Sequence, residues 1–167
     1  MKHSGFWLAA VVAVIADQLT KRWAVQTLMP GPELQIWPEV FHLTYVENTG
    51  AAWSLFEQSG GFLKWISLVV AVALIVFALR VPRMSGWEQA GYGLILAGAV
   101  GNGIDRFIQG YVVDFLNFTL INFPVFNIAD VAINLGVACL IMSILLQNPQ
   151  PEHEAAQLPP PVDSGQK

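Results

Sequence analysis

Charge is what this chain has least of. Asp, Glu, Lys and Arg make up 12% of its 167 residues, about half the share of an ordinary soluble domain. The net charge is −4 and there is no basic run, so the electrostatic footprint of a nucleic-acid partner is missing. The three histidines, His3, His42 and His153, lie outside the long apolar runs, and the single cysteine, Cys139, lies inside one. One cysteine cannot form an internal disulfide, and in apolar surroundings it behaves as a small hydrophobe. The chain has no HExxH, no GxSxG and no Cys/His cluster at metal-ligand spacing. Zinc-peptidase chemistry, the serine nucleophile elbow and a structural zinc site therefore lack their residues. No metal and no cofactor is expected.

What the chain has is apolar sequence in long runs. Hydrophobic residues make up 54% of it. Four segments, Gly5–Ala24, Phe62–Leu79, Trp87–Ile104 and Ile128–Leu146, have the roughly 17–25 residues a helix needs to span a bilayer. Between the first two, "LQIWPEVFHLTYVEN" is β-branched, aromatic and partly alternating, and Pro38 breaks it, which predicts a short strand or two at the interface. The expected fold is an all-α integral membrane protein of four transmembrane helices, with a small β element in the first long loop. Residues 1–147 form the membrane domain. The Pro-rich, polar tail, residues 148–167, is expected to be disordered. Four spans put both termini on one face with Lys2, Arg80 and Arg83, which marks that face as cytoplasmic, although Lys21, Arg22, Lys64 and Arg106 fall opposite. The first segment also has the charged start and short apolar core of a cleavable signal peptide, but it continues helix-compatible through "DQLTKRWAVQTL".

The few ionisable groups near membrane depth need reasons, because each costs roughly 2.5–3.5 kcal/mol on insertion scales. Asp17 and Lys21 stand four apart on one helix face and can pair. The third segment, "AGYGLILAGAVGNGIDR", carries glycines and alanines suited to close helix packing. It ends in Asn102, Asp105 and Arg106, three polar groups on one turn that want partners. Asp114 sits in "VVDF" among apolar neighbours that would raise its pKa by desolvation. Asp130 opens the last apolar run in "FNIAD". Taken alone it reads as a helix cap, three residues after an Asn127 N-cap.

Taken together, Asp114 and Asp130 lie at the two ends of one connection, and they are the only carboxylates there embedded in apolar sequence. Two close carboxylates can share one proton, one acting as base on a water while the other polarises a carbonyl. That is the aspartic-protease route to peptide hydrolysis, and it needs no metal, thiol or histidine. A small ion- or proton-coupled membrane carrier is the alternative, though carriers place their charges near the midplane on broken helices. A scaffold with capping and ion-pairing aspartates is the non-catalytic reading.

Five stretches, "DQLTK", "NTGAAWS", "GNGIDR", "VVDF" and "FNIAD", resemble in order the motifs of the bacterial lipoprotein signal peptidases (signal peptidase II), with Trp53 a mild variation. The resemblance implies an endopeptidase that cleaves prolipoproteins just before a diacylglyceryl-modified cysteine, with Asp114 and Asp130 as its catalytic dyad. It implies that Asp17, Lys21, Asn48, Gly50, Asn102, Asp105, Arg106 and Asn127 shape or support the site. It also implies a multi-pass protein of the bacterial cytoplasmic (inner) membrane, acting as a monomer in contact with membrane lipid. Both termini would be cytoplasmic, the dyad would lie toward the outer leaflet, and the β element would be extracytoplasmic. The first helix is then retained, and the cyclic peptide globomycin is the expected inhibitor. Asp114, in its apolar setting, is the better candidate to carry the shared proton.

Overall fold

The computed structural model describes residues 2–50, 60–121 and 123–146. Four long helices carry a three-stranded sheet at one end. They are α1 (Ser4–Thr27), α2 (Gly60–Arg80), α3 (Gly86–Ile108) and α4 (Ile128–Leu146), and the strands are β1 (Leu34–Trp37), β2 (Phe41–Asn48) and β3 (Val112–Asn117). The sheet is antiparallel in the order β1-β2-β3. Part of the "NTGAAWS" stretch, residues 51–54, and the tail from 148 onward lie outside the described residues.

α1 is built inside out relative to a helix of a soluble protein. Leu8, Val11, Val12, Ile15 and Leu19 are all more than half exposed, while Asp17 and Lys21 are buried with Phe6, Ala10 and Ala24. Water outside would reverse that pattern, and lipid outside explains it. α2 and α4 are long and apolar enough to cross a membrane by length and composition. α1 and α3, at 24 and 23 residues, reach about 35 Å at 1.5 Å per residue, but each gives its inner face to polar groups.

α3 is the hub, packing on α1, α2 and α4. A Ser85/Glu88 capping box starts it, holding two of the otherwise unpaired N–H groups. Its glycines set the approach distance. A Cβ at Gly91 would stand 2.9 Å from the Gly136 carbonyl oxygen, and one at Gly136 would stand 2.7 Å from the Gly91 carbonyl oxygen. The two backbones are therefore nearly in contact, which only glycine permits.

The structure departs from the expected boundaries in two places, and both matter to the site. α3 runs to Ile108, beyond the expected span end at Ile104, and carries Asp105 and Arg106 in its last turns, as the polar ending of the segment suggests. The connection itself contains β3, so the β element is not confined to the first long loop and the protein is mostly rather than wholly helical. "VVDFLN" was hard to recognise as a strand because it is buried on both faces and lacks polar alternation. Gly110, at φ 85°, turns the chain from α3 into β3 through a conformation that suits glycine.

Candidate active site

Period-two geometry splits β3 between two duties. Val113 and Phe115 pack with Ala24 of α1 and Leu28 at its C-cap, while Val112 and Asp114 face a cavity of about 670 Å³. After β3 the chain makes a 3-10 turn at Thr119–Ile121 and returns. Phe126 then pairs with Leu116, giving and receiving backbone hydrogen bonds of 3.1 and 2.8 Å. That return brings Asn127 and the start of α4 beside Asp114.

α4 starts as the sequence predicts. Asn127 Oδ1 accepts from the Asp130 backbone N–H at 3.1 Å, and the Asp130 carboxylate Oδ2 accepts from the Asn127 backbone N–H at 3.2 Å. This reciprocal cap leaves Asp130 Oδ1 free to accept from Asn102 Nδ2 at 2.8 Å. The cap is therefore a mount for a cavity-facing carboxylate. Asp114 Oδ2 accepts from Asn48 Nδ2 at 2.8 Å, and its Oδ1 accepts from Asn127 Nδ2 at 2.6 Å. Asn127, fully buried, thus holds both aspartates, one through its side chain and the other through its backbone.

Behind this layer lies a buried charge cluster. Lys21 Nζ lies 3.0 Å from Asp17 Oδ2, 2.9 Å from Asp105 Oδ2 and 3.0 Å from Asn102 Oδ1. An ammonium has three hydrogens, and all are used. Asp17 Oδ1 also accepts from the Ala129 backbone N–H at 2.9 Å, and Asp105 Oδ2 from the Val113 N–H at 3.2 Å. The cluster therefore ties α1 and α3 to α4 and β3 through their backbones. Gly101 makes room for it, since a Cβ there would stand 2.5 Å from Asp17 Oδ2.

All ten residues singled out in the sequence fall within this one assembly. Asn48, Gly50, Asn102, Arg106, Asp114 and Asp130 line the cavity. Asn127 links the aspartates, and Asp17, Lys21 and Asp105 form the backing. Arg106 donates weakly to Ser67 of α2 across 3.4 Å. Two participants escaped the sequence reading. Gln18 Nε2 bridges Asp17 Oδ2 at 3.2 Å and Asp105 Oδ1 at 3.1 Å; its signal was its place within the "DQLTK" stretch. Ser67, in a strongly apolar helix, had none. Among the described residues no cluster of His, Cys, Asp and Glu is arranged to hold a metal ion.

Burial pushes the Asp114 carboxyl up to about 6. The nearby Asp130 adds to the rise, and the hydrogen bonds from Asn48 and Asn127 oppose it. Asp114 is 1% exposed, so desolvation is the dominant cause. Two carboxylates from different elements, electrostatically coupled on one cavity, can divide acid and base duties at near-neutral pH.

The fold has relatives. Two solved bacterial membrane enzymes determined by the in meso method superpose with TM-scores of 0.73 and 0.72. The first is 35% identical, covering 85% of this chain and 92% of its own; the second is 34% identical, covering 83% and 85%. The lipoprotein signal peptidase of Gloeobacter violaceus is 54% identical over 98% of this chain and 96% of its own length, and that of Microcystis aeruginosa is 57% identical over 85% and 92%. The family profile described as signal peptidase (SPase) II matches residues 9–146. The chain belongs to the signal peptidase II family. It is a peptidase and a bacterial membrane protein.

Proposed function

We propose that this protein removes the signal peptide from prolipoproteins by aspartyl catalysis, hydrolysing the bond just before a cysteine that already carries diacylglycerol, with Asp114 and Asp130 as the reacting pair. The supporting observation is that these two carboxylates, from β3 and α4, share one cavity and the buried Asn127. Asp130 takes a proton from water as the water oxygen bonds to the scissile carbonyl carbon. Asp114 gives its proton to the carbonyl oxygen, yielding a gem-diol. Collapse of the diol breaks the C–N bond, Asp130 passes its proton to the leaving nitrogen, and Asp114 recovers one from the diol. An Asp114 pKa of about 6 suits it to hold the proton first.

The surroundings suit a substrate arriving from lipid. α2 and α4 each pack along α3, and the cavity between them is walled by Ser67, Ala99, Val131 and Ile133 as well as by the polar frame. In this reading all four helices cross the bilayer, residues 1–147 are the membrane domain, and residues 148–167 are a separate tail. Both termini are cytoplasmic, and the sheet and dyad lie toward the outer leaflet. The protein works as a monomer among membrane lipids and is inhibited by globomycin. A carrier role is disfavoured by the gathering of the charges with the sheet at one end of the helices.

The test uses purified protein and a lipidated prolipoprotein. Asp114→Asn and Asp130→Asn should each abolish cleavage while the protein remains folded. Full processing by either variant would remove the pair from the mechanism.

A further inference from the structure

Among the described residues, the four oxygens of the aspartate pair meet a frame made only of N–H donors. Asp114 accepts from Asn127 Nδ2 and Asn48 Nδ2, and Asp130 accepts from Asn102 Nδ2 and the Asn127 backbone N–H. A side-chain amide turned over presents an acceptor instead, so the donor frame holds only while each amide keeps its sense. Two are fixed by backbone groups. Asn48 Oδ1 accepts from the Gly50 N–H at 3.0 Å, and Asn127 Oδ1 accepts from the Asp130 N–H at 3.1 Å. Among the described residues, Asn102 has no such backbone partner. Its Oδ1 meets Asn127 Nδ2 at 3.0 Å, a neutral donor shared with Asp114, and the Lys21 ammonium at 3.0 Å. The charged bond is roughly twice as strong as a neutral one, and Asp17 and Asp105 hold the ammonium in place for it.

We propose that Lys21 is a positioning residue for peptide hydrolysis: its buried ammonium holds the Asn102 amide with Nδ2 on Asp130, so that the frame offers the pair no acceptor. The shared proton is then confined to the lone pairs facing the cavity and the partner carboxylate, where water and the scissile carbonyl bind. Without the ammonium, Asn102 can turn its Oδ1 to a neutral Asp130 and accept a hydrogen bond from its carboxyl O–H. The base would then be lost at pH values where the native enzyme still has it. Among the described residues, the charged groups facing this frame are Asp17 and Lys21 from α1 and Asp105 and Arg106 from α3. α2 contributes the neutral Ser67 and β2 the neutral Asn48.

This inference rests on Asp114 and Asp130 being the reacting pair, and the test separates the two. The kcat/KM–pH profile is measured for full-length Lys21→Met and for Lys21→Met/Asp17→Asn, the second of which removes the ammonium together with one counter-ion and is read if the single variant does not fold. The acid limb should move up by about one pH unit, a tenfold change in proton concentration. Lys21→Arg, which keeps the charge, should restore the limb toward its native position. A folded variant with lower kcat but an unmoved acid limb would overturn the proposal and leave Lys21 a structural residue. Cleavage by Asp114→Asn or Asp130→Asn would instead overturn the dyad itself.

Discussion

Asp114→Asn should change how stability depends on pH, independently of activity. The native carboxyl is 1% exposed and its pKa rises from 3.8 to about 6 on folding. A raised acid pKa means that the folded state holds its proton longer than the unfolded chain. Stability is therefore full below the unfolded value and falls as pH rises through the folded one. At 1.36 kcal/mol per unit, the charged carboxylate costs about 3 kcal/mol above pH ~7 and about half of that near pH 5. Asparagine removes this pH-dependent cost. It also sets an NH₂ group against a frame of donors, because Asn48 Nδ2 and Asn127 Nδ2 occupy both oxygen positions, at a pH-independent cost of about 1–3 kcal/mol. The two effects offset each other in any single melting temperature, and only the pH difference isolates the carboxyl. Between about pH 5 and 7.5 the native protein should lose about 1.5 kcal/mol that the variant keeps, or roughly 3–6 °C of midpoint for a chain of this size. Thermal unfolding of both proteins in one detergent, followed by intrinsic tryptophan fluorescence, measures it. Parallel midpoint curves for the two proteins across that range would refute the claim that burial holds Asp114 neutral below pH 6.

Other perturbations test the frame and its backing. Asn127→Ala removes the α4 cap and the amide between the aspartates; stability should fall by about 1–2 kcal/mol and turnover should fall much further, read by comparing thermal midpoint with kcat. Gly101→Ala puts a methyl group 2.5 Å from Asp17 Oδ2 and should cost about 1–3 kcal/mol, seen as a lowered midpoint, whereas Gly86→Ala, with open space around the new Cβ, should change the midpoint little. The basic limb of the native kcat/KM profile should fall where the pair loses its shared proton, and Asp114→Glu should move that limb more than Asp130→Glu does; equal shifts would leave the assignment of the proton to Asp114 without support.

The helices and the cap were legible in the sequence because their signals are local. α2 and α4 are unbroken apolar runs, and Asn127 and Asp130 stand at cap spacing whatever surrounds them. Asp17 and Lys21 were legible as an i, i+4 pair for the same reason. The end of α3 was legible only in part: Asn102, Asp105 and Arg106 read as polar groups on one turn, but the helix continues to Ile108, and their partners on α1, α2 and β3 leave no local signal. β3 was missed because a strand covered on both faces carries no alternation.

Composition and spacing alone pointed to lipid and left two aspartates in apolar sequence as the candidate reacting pair. They could not determine that the aspartates meet. Asp114 reaches its place through the register of β3 on β2, and Asp130 through the return of Phe126 onto Leu116. The senses of Asn48, Asn102 and Asn127, and with them the donors each carboxylate receives, depend on contacts from residues 2 to 81 positions away. A hydrogen bond between distant residues leaves no period in the sequence. It exists only once the chain has closed around it, which is why the candidate residues and their class of chemistry could be read beforehand and the hydrogen-bond frame that holds them could not.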